Sequence, residues 1–297
     1  MRFGSAPGGA FVLSLCVVES LVRGGSGRCR IGTNHAWLSS KTHHAVPHHP
    51  ARHDRSLPAA RRLRRTPDDA WHLQAIGWQL ERVCGGEIRR LIINMPPRSL
   101  KSIMTSVAFP AFLLGHDPTQ RIICVSYSGD LARKHANDFR ALVEAPWYRE
   151  LFPGARIGKK DSETEIELTA RGFRLATSVG GTLTGRGGQL IVVDDPLKPD
   201  DALSEAKRSA ANQWFANTLL SRLDDKRTGA IVIVMQRVHM DDLSGFLMSQ
   251  SDEWELLSLP AIAELEETIP LGNAARIAGA SARRSRPNAS RSMCWKV

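Results

Sequence analysis

Short apolar runs alternate with longer segments of helical periodicity along the middle of this chain of 297 residues. Strands that are apolar at every position are typical of a parallel sheet whose two faces are both covered. Runs of this kind occupy 91–93, 122–125, 190–193 and 230–235, and a weaker fifth run occupies 256–259. The pattern therefore predicts a largely parallel sheet inside an α/β domain.

Segments with the 3.6-residue period of a helix separate these strands. The predicted helices are 71–83, which Gly85-Gly86 ends; 102–114, which Pro110 should bend; 130–143; and 203–223. The segment 163–178 alternates polar and apolar residues instead, which predicts a hairpin that turns at Arg171-Gly172.

The formal net charge of +10 resides in the two ends of the chain. Residues 1–66 hold eleven Lys and Arg against two acidic residues, and residues 271–297 hold six against none, so the middle is net acidic. Neither end has a sustained period. We expect disordered basic segments at 1–66 and 271–297 around one domain, 67–270. Two DNA-binding arms are the alternative interpretation of this charge.

Other features of the composition exclude whole classes of protein. No run of about 18 apolar residues exists, so the sequence predicts no membrane-spanning helix and no membrane partner. The five cysteines form no C-x-x-C pair. The chain therefore has neither the pattern of a zinc site nor that of a disulfide framework, and it suits a reducing cytosol.

One predicted strand-to-helix junction has the features of a phosphate-binding loop. Backbone N–H groups and the helix dipole favour an anion at such a junction. Lys101 has the reach to contact β- and γ-phosphates, and the hydroxyl of Ser102 is a candidate Mg²⁺ ligand. The general pattern G-x-x-x-x-G-K-[ST] is incomplete, because Met95 and Leu100 replace its glycines. The predicted ATP-binding residues are Pro97, Arg98, Ser99, Leu100, Lys101 and Ser102.

Two acidic residues end the predicted strand at 190–193. ATP hydrolysis needs one carboxylate for the Mg²⁺ shell and a second to orient or deprotonate the attacking water. We assign Asp194 to the metal and Asp195 to the water. The alternative is an Asp-Pro turn that only caps the strand.

Four motifs occur together in one order, and this order resembles the ATPase domain of phage terminase large subunits. The motifs are Pro96–Ser102, Thr182–Gly188, Ile191–Pro196 and Met235–His239, and the resemblance covers roughly 71–270. It implies a P-loop NTPase fold of the ASCE or RecA-like type, a parallel sheet flanked by helices, with irregular N- and C-terminal segments.

The resemblance also implies a function and partners. A terminase of this kind hydrolyses ATP, with Mg²⁺, to translocate double-stranded DNA into a capsid. It works as a homo-oligomeric ring on the portal protein, with a small terminase subunit, in the cytoplasm of a bacterial host that carries the phage or prophage.

Two arginines match positions that act on ATP in this family. Arg98 matches the arginine of the phosphate loop, and Arg186 resembles the arginine that is offered to the ATP of a neighbouring subunit. A planar guanidinium that reaches γ-phosphate oxygens stabilises the transition state. Together with Asp195 they form the predicted catalytic set. The alternative for Arg186 is a solvated arginine in a glycine-rich loop.

Two further groups of residues take roles from the same resemblance. Gln236, Arg237 and His239 match the coupling motif, where occupancy by the γ-phosphate is sensed, although they are also compatible with polar residues that simply cap a strand. Trp71 and His72 lie in the region where the adenine-binding motif is expected.

The sequence departs from the family pattern in three ways. Leu100 replaces a glycine, and Asp195 stands where many relatives have glutamate. The segment after residue 270 lacks the acidic residues of an RNase H-like nuclease, so we expect no endonuclease activity and a chain truncated before the nuclease domain, as in a frameshifted prophage gene. The alternatives are an inactive remnant that keeps the nucleotide-binding fold, and another helicase-like P-loop translocase.

Overall fold

A computed structural model of the protein describes residues 71–183, 185–262, 267–271 and 276–279. The predicted basic segment 1–66 lies outside the described residues, as do residues 67–70 of the predicted domain, Thr184 of the glycine-rich motif and most of the predicted tail. Among the described residues, no helix is long and apolar enough to cross a membrane.

Eight strands form one mixed sheet, and this confirms the predicted α/β class. In chain order they are β1 (Arg90–Asn94), β2 (Arg121–Ser126), β3 (Ile157–Asp161), β4 (Glu165–Leu168), β5 (Phe173–Ser178), β6 (Leu190–Asp194), β7 (Ala230–Met235) and β8 (Glu255–Ser258). Across the sheet the order is β3-β4-β5-β2-β6-β7-β1-β8. In this order, every neighbouring pair from β5 to β8 is parallel, whereas β3 pairs antiparallel with β4 and β4 pairs antiparallel with β5.

Helices cover both faces of this sheet. They are α1 (Trp71–Cys84), α2 (Phe109–His116), α3 (Gly129–Glu144), α4 (Pro146–Leu151), α5 (Glu205–Trp214) and α6 (Leu243–Gln250). The segments Ile103–Ala108 and Phe215–Leu219 are π-helical, and Pro199–Asp201 and Leu220–Arg222 are 3₁₀-helical. Two large apolar cores result, one under α1, α2 and α3 and the other under Phe215–Leu219 and α6, and a small third cluster contains Ala211 of α5.

Alternation along the buried strands explains why both cores form. In β7, for example, Val232 and Val234 belong to the first core, and Ile231 and Ile233 belong to the second. Successive side chains of a strand point to opposite faces, so a strand that is apolar throughout contributes to both layers. The sheet is therefore anchored from both sides, and its strand ends have fixed positions.

The helix that follows the phosphate loop is continuous, but most of its first two turns are not α-helical. After Lys101 and Ser102 comes the π-helical segment Ile103–Ala108. Pro110 has no N–H to donate to the carbonyl four residues earlier, that of Ser106. Arg174 donates to this carbonyl instead, through Nε at 3.2 Å and Nη2 at 3.0 Å. The buried Arg174 thus takes the place of the missing N–H donor, and the bend expected at Pro110 stays a prediction.

Other differences from the sequence prediction lie where the periodicity is short or mixed. The predicted helix 203–223 divides into α5, a π-helical turn and a 3₁₀ turn. The sequence pattern did not reveal α4, α6 or β3, each of which has eight residues or fewer. Residues 276–279, in the segment predicted to be an irregular tail, form a strand that pairs antiparallel with Glu267–Pro270.

The hairpin turn between β4 and β5 generates a prediction about stability. A Cβ on Gly172 would lie 2.3 Å from Pro118 O and 2.6 Å from Gln120 O. Because both atoms belong to the backbone and cannot easily move away, we expect Gly172→Ala to lower the free energy of unfolding by about 2 kcal/mol. Urea denaturation measures this change. Gly129→Ala is the matched control, since its Cβ would make only ordinary contact at 3.6 Å; equal effects of the two variants would contradict the prediction.

Candidate active site

Three neighbouring strands of the parallel sheet bring the predicted motifs to one edge. The strands β6, β7 and β1 lie side by side, with Asp194 opposite Val234 and Met235 opposite Asn94. The carboxyl ends of parallel strands lie at the same edge, where ligands bind in open α/β sheets. The loop after β1, the acids after β6 and Gln236 after β7 therefore meet in one place.

The phosphate loop and the two acidic residues are in direct contact. Lys101 Nζ lies 2.9 Å from Asp195 Oδ2, and Ser102 Oγ donates to Asp194 Oδ1 at 2.8 Å. Lys101 is almost completely buried, with 4% of its surface exposed. The structure thus brings together the four residues on which the nucleotide-site prediction depends.

The backbone of the phosphate loop takes conformations that usually require glycine. Arg98 has φ of 61° and Leu100 has φ of 63°, in the left-handed region. Such a conformation costs a residue with a Cβ roughly 1–2 kcal/mol. Leu100 occupies a glycine position of the general motif and keeps the backbone geometry that glycine would favour. Its half-buried side chain packs against the first core, which offsets part of the strain.

The carboxyl group of Asp194 is fully buried. Burial, followed by the negative charge of Asp195, raises the pKa of Asp194 to about 7 from an ordinary value of 3.8. The hydrogen bond from Ser102 and the positive charges of Lys101 and Arg174 act in the opposite direction. A carboxyl group that is costly to ionise in the free protein is well placed to receive a cation.

Asp195 is held from two sides at the mouth of the site. Its Oδ1 accepts a hydrogen bond from the backbone N–H of Gln236 at 2.9 Å, and its Oδ2 faces Lys101. Its own N–H donates to Val234 O at 2.8 Å, and its φ of 43° turns the chain away from the strand. The two adjacent acids therefore point into different environments, as their predicted roles require.

Sequence reasoning missed a buried polar group behind Asp194. His135 Nδ1 lies 3.4 Å from Asp194 Oδ2, and the fully buried Arg174 contacts the ring of Phe139 with its guanidinium 5.5 Å from the ring centroid. Burial, followed by the charge of Arg174, lowers the pKa of His135 to about 4, which keeps its imidazole neutral. The only sequence signal was a polar residue at a position where the helical or strand period demands an apolar one.

The predicted coupling residues lie beside the site and connect it to a helix. Besides the bond from Gln236 to Asp195, Arg237 Nε donates to Asp242 Oδ2 at 3.0 Å. The backbone N–H of His239 donates to the same oxygen at 3.3 Å. Asp242 is completely buried and caps the N-terminus of α6 through Gly245 N. The loop after β7 is therefore tied to α6 by one carboxylate.

The structure does not bring the two predicted arginines into this cluster. Arg98 lies exposed on the phosphate loop, next to the exposed Pro97. Arg186 Nη2 forms an ion pair with Glu165 Oε2 at 2.7 Å, and its guanidinium lies 5.9 Å from the centre of the Phe173 ring. Both of these contacts of Arg186 are thus with residues of its own chain, one in β4 and one in β5.

The predicted adenine pocket has no established geometry. Trp71 and His72 begin α1, and their rings contact each other edge to face at 6.1 Å. Helix α1 packs beside β1 and the π-helical segment that follows the phosphate loop. Their role in base binding stays a prediction.

The oxygen atoms present fit a magnesium ion better than a transition metal. Ser102 and Asp194 supply hard oxygen ligands, which Mg²⁺ prefers, and Mg²⁺ normally completes its shell with water and phosphate oxygens. The described residues contain no cluster of three or more His, Cys, Asp or Glu that could hold a metal by itself. Such a site would need the nucleotide to complete the ion's coordination.

The fold and these polar groups place the chain in the class of P-loop NTPase folds, with its phosphate loop between β1 and a helix. It matches no family model and no curated protein. Phage large terminase ATPase domains are among the solved structures that it resembles. The Thermus phage P74-26 domain shares 16% identity at a TM-score of 0.41, with 58% of this chain and 75% of that chain covered.

Two further solved structures are similar over part of the chain. The HK97 bacteriophage large terminase shares 16% identity at a TM-score of 0.41, with 70% of this chain and 41% of that chain covered. S. cerevisiae Dbp5, bound to Gle1 and IP6, shares 13% identity at a TM-score of 0.40, with 67% and 52% covered. The chain thus spans less than half of the HK97 large terminase.

The strained residue of the phosphate loop generates a prediction about nucleotide affinity. In Leu100→Gly the backbone adopts its positive φ without strain, and without a Cβ the loop can adjust to the approaching phosphates. We expect the affinity for Mg·ATP to rise about threefold to tenfold, a gain of roughly 1 kcal/mol. Isothermal titration calorimetry measures it. Leu100→Ala is the control, because it shortens the side chain but keeps the strain; a glycine variant that binds no tighter than the alanine variant would refute the explanation.

The raised pKa of Asp194 generates a prediction about stability and pH. The folded state holds this proton more tightly than the unfolded chain, so stability is lost as pH rises from about 4 through about 7. Asp194→Asn removes this loss. We expect its stability advantage over the parent protein, without Mg²⁺, to grow between pH 5 and pH 8 by on the order of 1–2 kcal/mol. Urea unfolding at both pH values tests this, with the exposed Asp252→Asn as control; an advantage independent of pH would count against it.

Proposed function

We propose that this chain is the ATPase core of a phage terminase large subunit, which hydrolyses ATP with Mg²⁺ to drive double-stranded DNA into a capsid. The proposal is carried by one observation: Lys101 and Ser102 of the phosphate loop each contact one of the adjacent acids, at 2.9 Å and 2.8 Å. The order of the four motifs supports the terminase family in particular.

In the proposed reaction, binding of ATP exchanges the partner of Lys101. In the free protein the ammonium group forms an ion pair with Asp195, in which the lysine is buried and the aspartate is partly exposed. Phosphate oxygens compete for the ammonium group, because they offer more negative charge at the N-terminus of a helix. When Lys101 turns to the phosphates, Asp195 Oδ2 becomes free to accept a hydrogen bond. Nucleotide binding thereby makes Asp195 Oδ2 available as the hydrogen-bond acceptor that hydrolysis needs.

Asp195 then orients the attacking water. Its Oδ1 stays fixed by the N–H of Gln236, so Oδ2 is directed to the mouth of the site and accepts the proton of a water held there. Ser102 and Asp194 would hold Mg²⁺, which supplies neutralisation of phosphate charge when bound. Arg98, exposed on the same loop, is free to add positive charge from this subunit, and Arg186 would act on a neighbour's ATP after leaving Glu165.

Movement of Asp195 also has a route to the surface of the domain. Gln236 connects it to the loop that Asp242 ties to α6. A change in the Lys101–Asp195 pair therefore reaches the three predicted coupling residues, Gln236, Arg237 and His239. We propose that this connection transmits the state of the nucleotide to the part of the motor that grips DNA.

The remaining assignments belong to the same proposal. The ATPase domain spans 67–270 and works as a homo-oligomeric ring on a portal protein, with a small terminase subunit, in the cytoplasm of a bacterial host. The net acidic charge of this middle segment is repelled by phosphates, so binding to DNA requires local basic patches or neighbouring subunits.

Two variants separate binding from hydrolysis. We expect Lys101→Ala to weaken Mg·ATP binding at least about tenfold and to abolish hydrolysis, because it removes the charge that holds the phosphates. Asp195→Asn should keep the affinity within about threefold but lower the rate at least about 100-fold, because an amide accepts no proton. Calorimetry and phosphate release, with and without DNA, measure both.

The distal variant Lys226→Ala controls for a general loss of positive charge, since this residue is exposed in the loop before β7. A parent protein that binds Mg·ATP but does not hydrolyse it would support a catalytically inactive remnant. A parent protein that binds no nucleotide, or activity that survives in Lys101→Ala, would overturn the proposed site.

A further inference from the structure

The two oxygens of the buried Asp194 carboxyl group have unequal surroundings. Oδ1 accepts a hydrogen bond from Ser102 at 2.8 Å. Oδ2 has no hydrogen-bond partner among the described residues, and neither has His135 Nδ1, which lies 3.4 Å away. Two unsatisfied buried polar atoms, one able to donate and one able to accept, thus face each other across a gap slightly longer than a hydrogen bond.

We propose that His135 is a positioning residue for Asp194: its Nδ1–H donates to Asp194 Oδ2 and thereby directs Oδ1, together with the hydroxyl of Ser102, towards the metal ion. This inference rests on the proposed ATPase function. A metal-ligating carboxylate is commonly held by such an outer hydrogen bond, and loss of that bond typically lowers metal affinity 10- to 100-fold.

The position of His135 on α3 supports this role over simple packing. Its neighbours on the same buried face are the apolar Ala132, Ala136 and Phe139, and 4% of the histidine itself is exposed. An imidazole in such a place costs free energy unless its N–H finds an acceptor. A movement of about 0.4 Å towards Asp194 would bring the pair to ordinary hydrogen-bond length.

Burial and the charges around His135 keep it a neutral donor. Burial has the largest effect on the pKa of the imidazole and lowers it, and Arg174 from β5 and Lys134 on its own helix act in the same direction. Asp138, also on α3, acts in the opposite direction and is partly exposed. Arg174 is the competing donor near Asp194: its Nε and Nη2 donate to Ser106 O, whereas its buried Nη1 has no hydrogen-bond partner among the described residues.

A spectroscopic experiment on the full chain without metal tests the hydrogen bond directly. Histidine is labelled with ¹⁵N, and the resonances of His135 are those lost in His135→Asn. At pH 8 we expect a neutral imidazole with its proton on Nδ1, and a shift of this Nδ1 signal in Asp194→Asn. A proton on Nε2, or an Nδ1 signal that does not shift in Asp194→Asn, would overturn the proposal whether or not the chain hydrolyses ATP.

A matched set of variants tests the consequence for metal binding. The amide nitrogen of an asparagine can take the place of Nδ1, whereas leucine fills the space without a donor. We expect His135→Leu to raise the Mg²⁺ concentration that gives half-maximal ATPase activity at least about tenfold. The Kd for Mn²⁺ in the presence of ADP, measured by electron paramagnetic resonance, should rise by at least the same factor. His135→Asn should stay within about threefold of the parent, and so should Leu142→Val, a packing change at the far end of α3.

The outcomes separate this inference from the proposed function. A parent protein without Mg²⁺-dependent binding of nucleotide contradicts the ATPase itself. A parent protein that hydrolyses ATP, with His135→Leu unaffected in metal affinity, contradicts only the positioning role. Equal losses in the leucine and asparagine variants, with intact thermal unfolding, would show that the ring and not its N–H is required.

Discussion

The positions of the polar groups in the site depend on one constraint. The adjacent carboxylates of Asp194 and Asp195 lie at the end of β6, a strand in the middle of a sheet that is covered on both faces. The sheet leaves Asp194 no route to solvent, and the backbone turn at Asp195 directs the next carboxylate towards the opening. Each acid then takes a different residue of the phosphate loop as its partner. The loop after β1 and the acidic end of β6 are therefore joined by direct contacts, and in the proposed function these are the contacts that a bound nucleotide rearranges.

This arrangement of buried ionisable groups and strained backbone costs stability. Asp194, Lys101 and Arg174 place ionisable groups in a region with little water, where charge is expensive without a close partner. The left-handed backbone at Leu100 adds strain. Under the proposed function, binding of a magnesium triphosphate would relieve the electrostatic part, because the ion would pair with the carboxyl group and the phosphates with the ammonium group. This relief would then contribute to the free energy of binding.

Helix α6 is connected to the site by hydrogen bonds from two neighbouring strand ends. Ser244 of this helix accepts a hydrogen bond from Asn94, the last residue of β1, at 2.9 Å. Asp242 at its N-terminus holds the loop that follows β7. The ends of two central strands therefore share one helix as a rigid support. Hydrogen bonds thus connect Asp195 and the end of β1 to α6, and transmission of a displacement along them belongs to the proposed function.

The sequence by itself determined the α/β class, the central strands and the order of the motifs, because apolar runs and helical periods are local properties. It also indicated that Lys101, Ser102, Asp194 and Asp195 belong together, since the ends of parallel strands share one edge. Only the tertiary structure decided which acid faces which residue. It alone revealed that the buried His135 lies beside Asp194, because the position of a polar residue in a helical period does not specify which residue of another element it contacts. Contacts between residues distant in the chain depend on strand order and helix placement, which local periodicity does not specify.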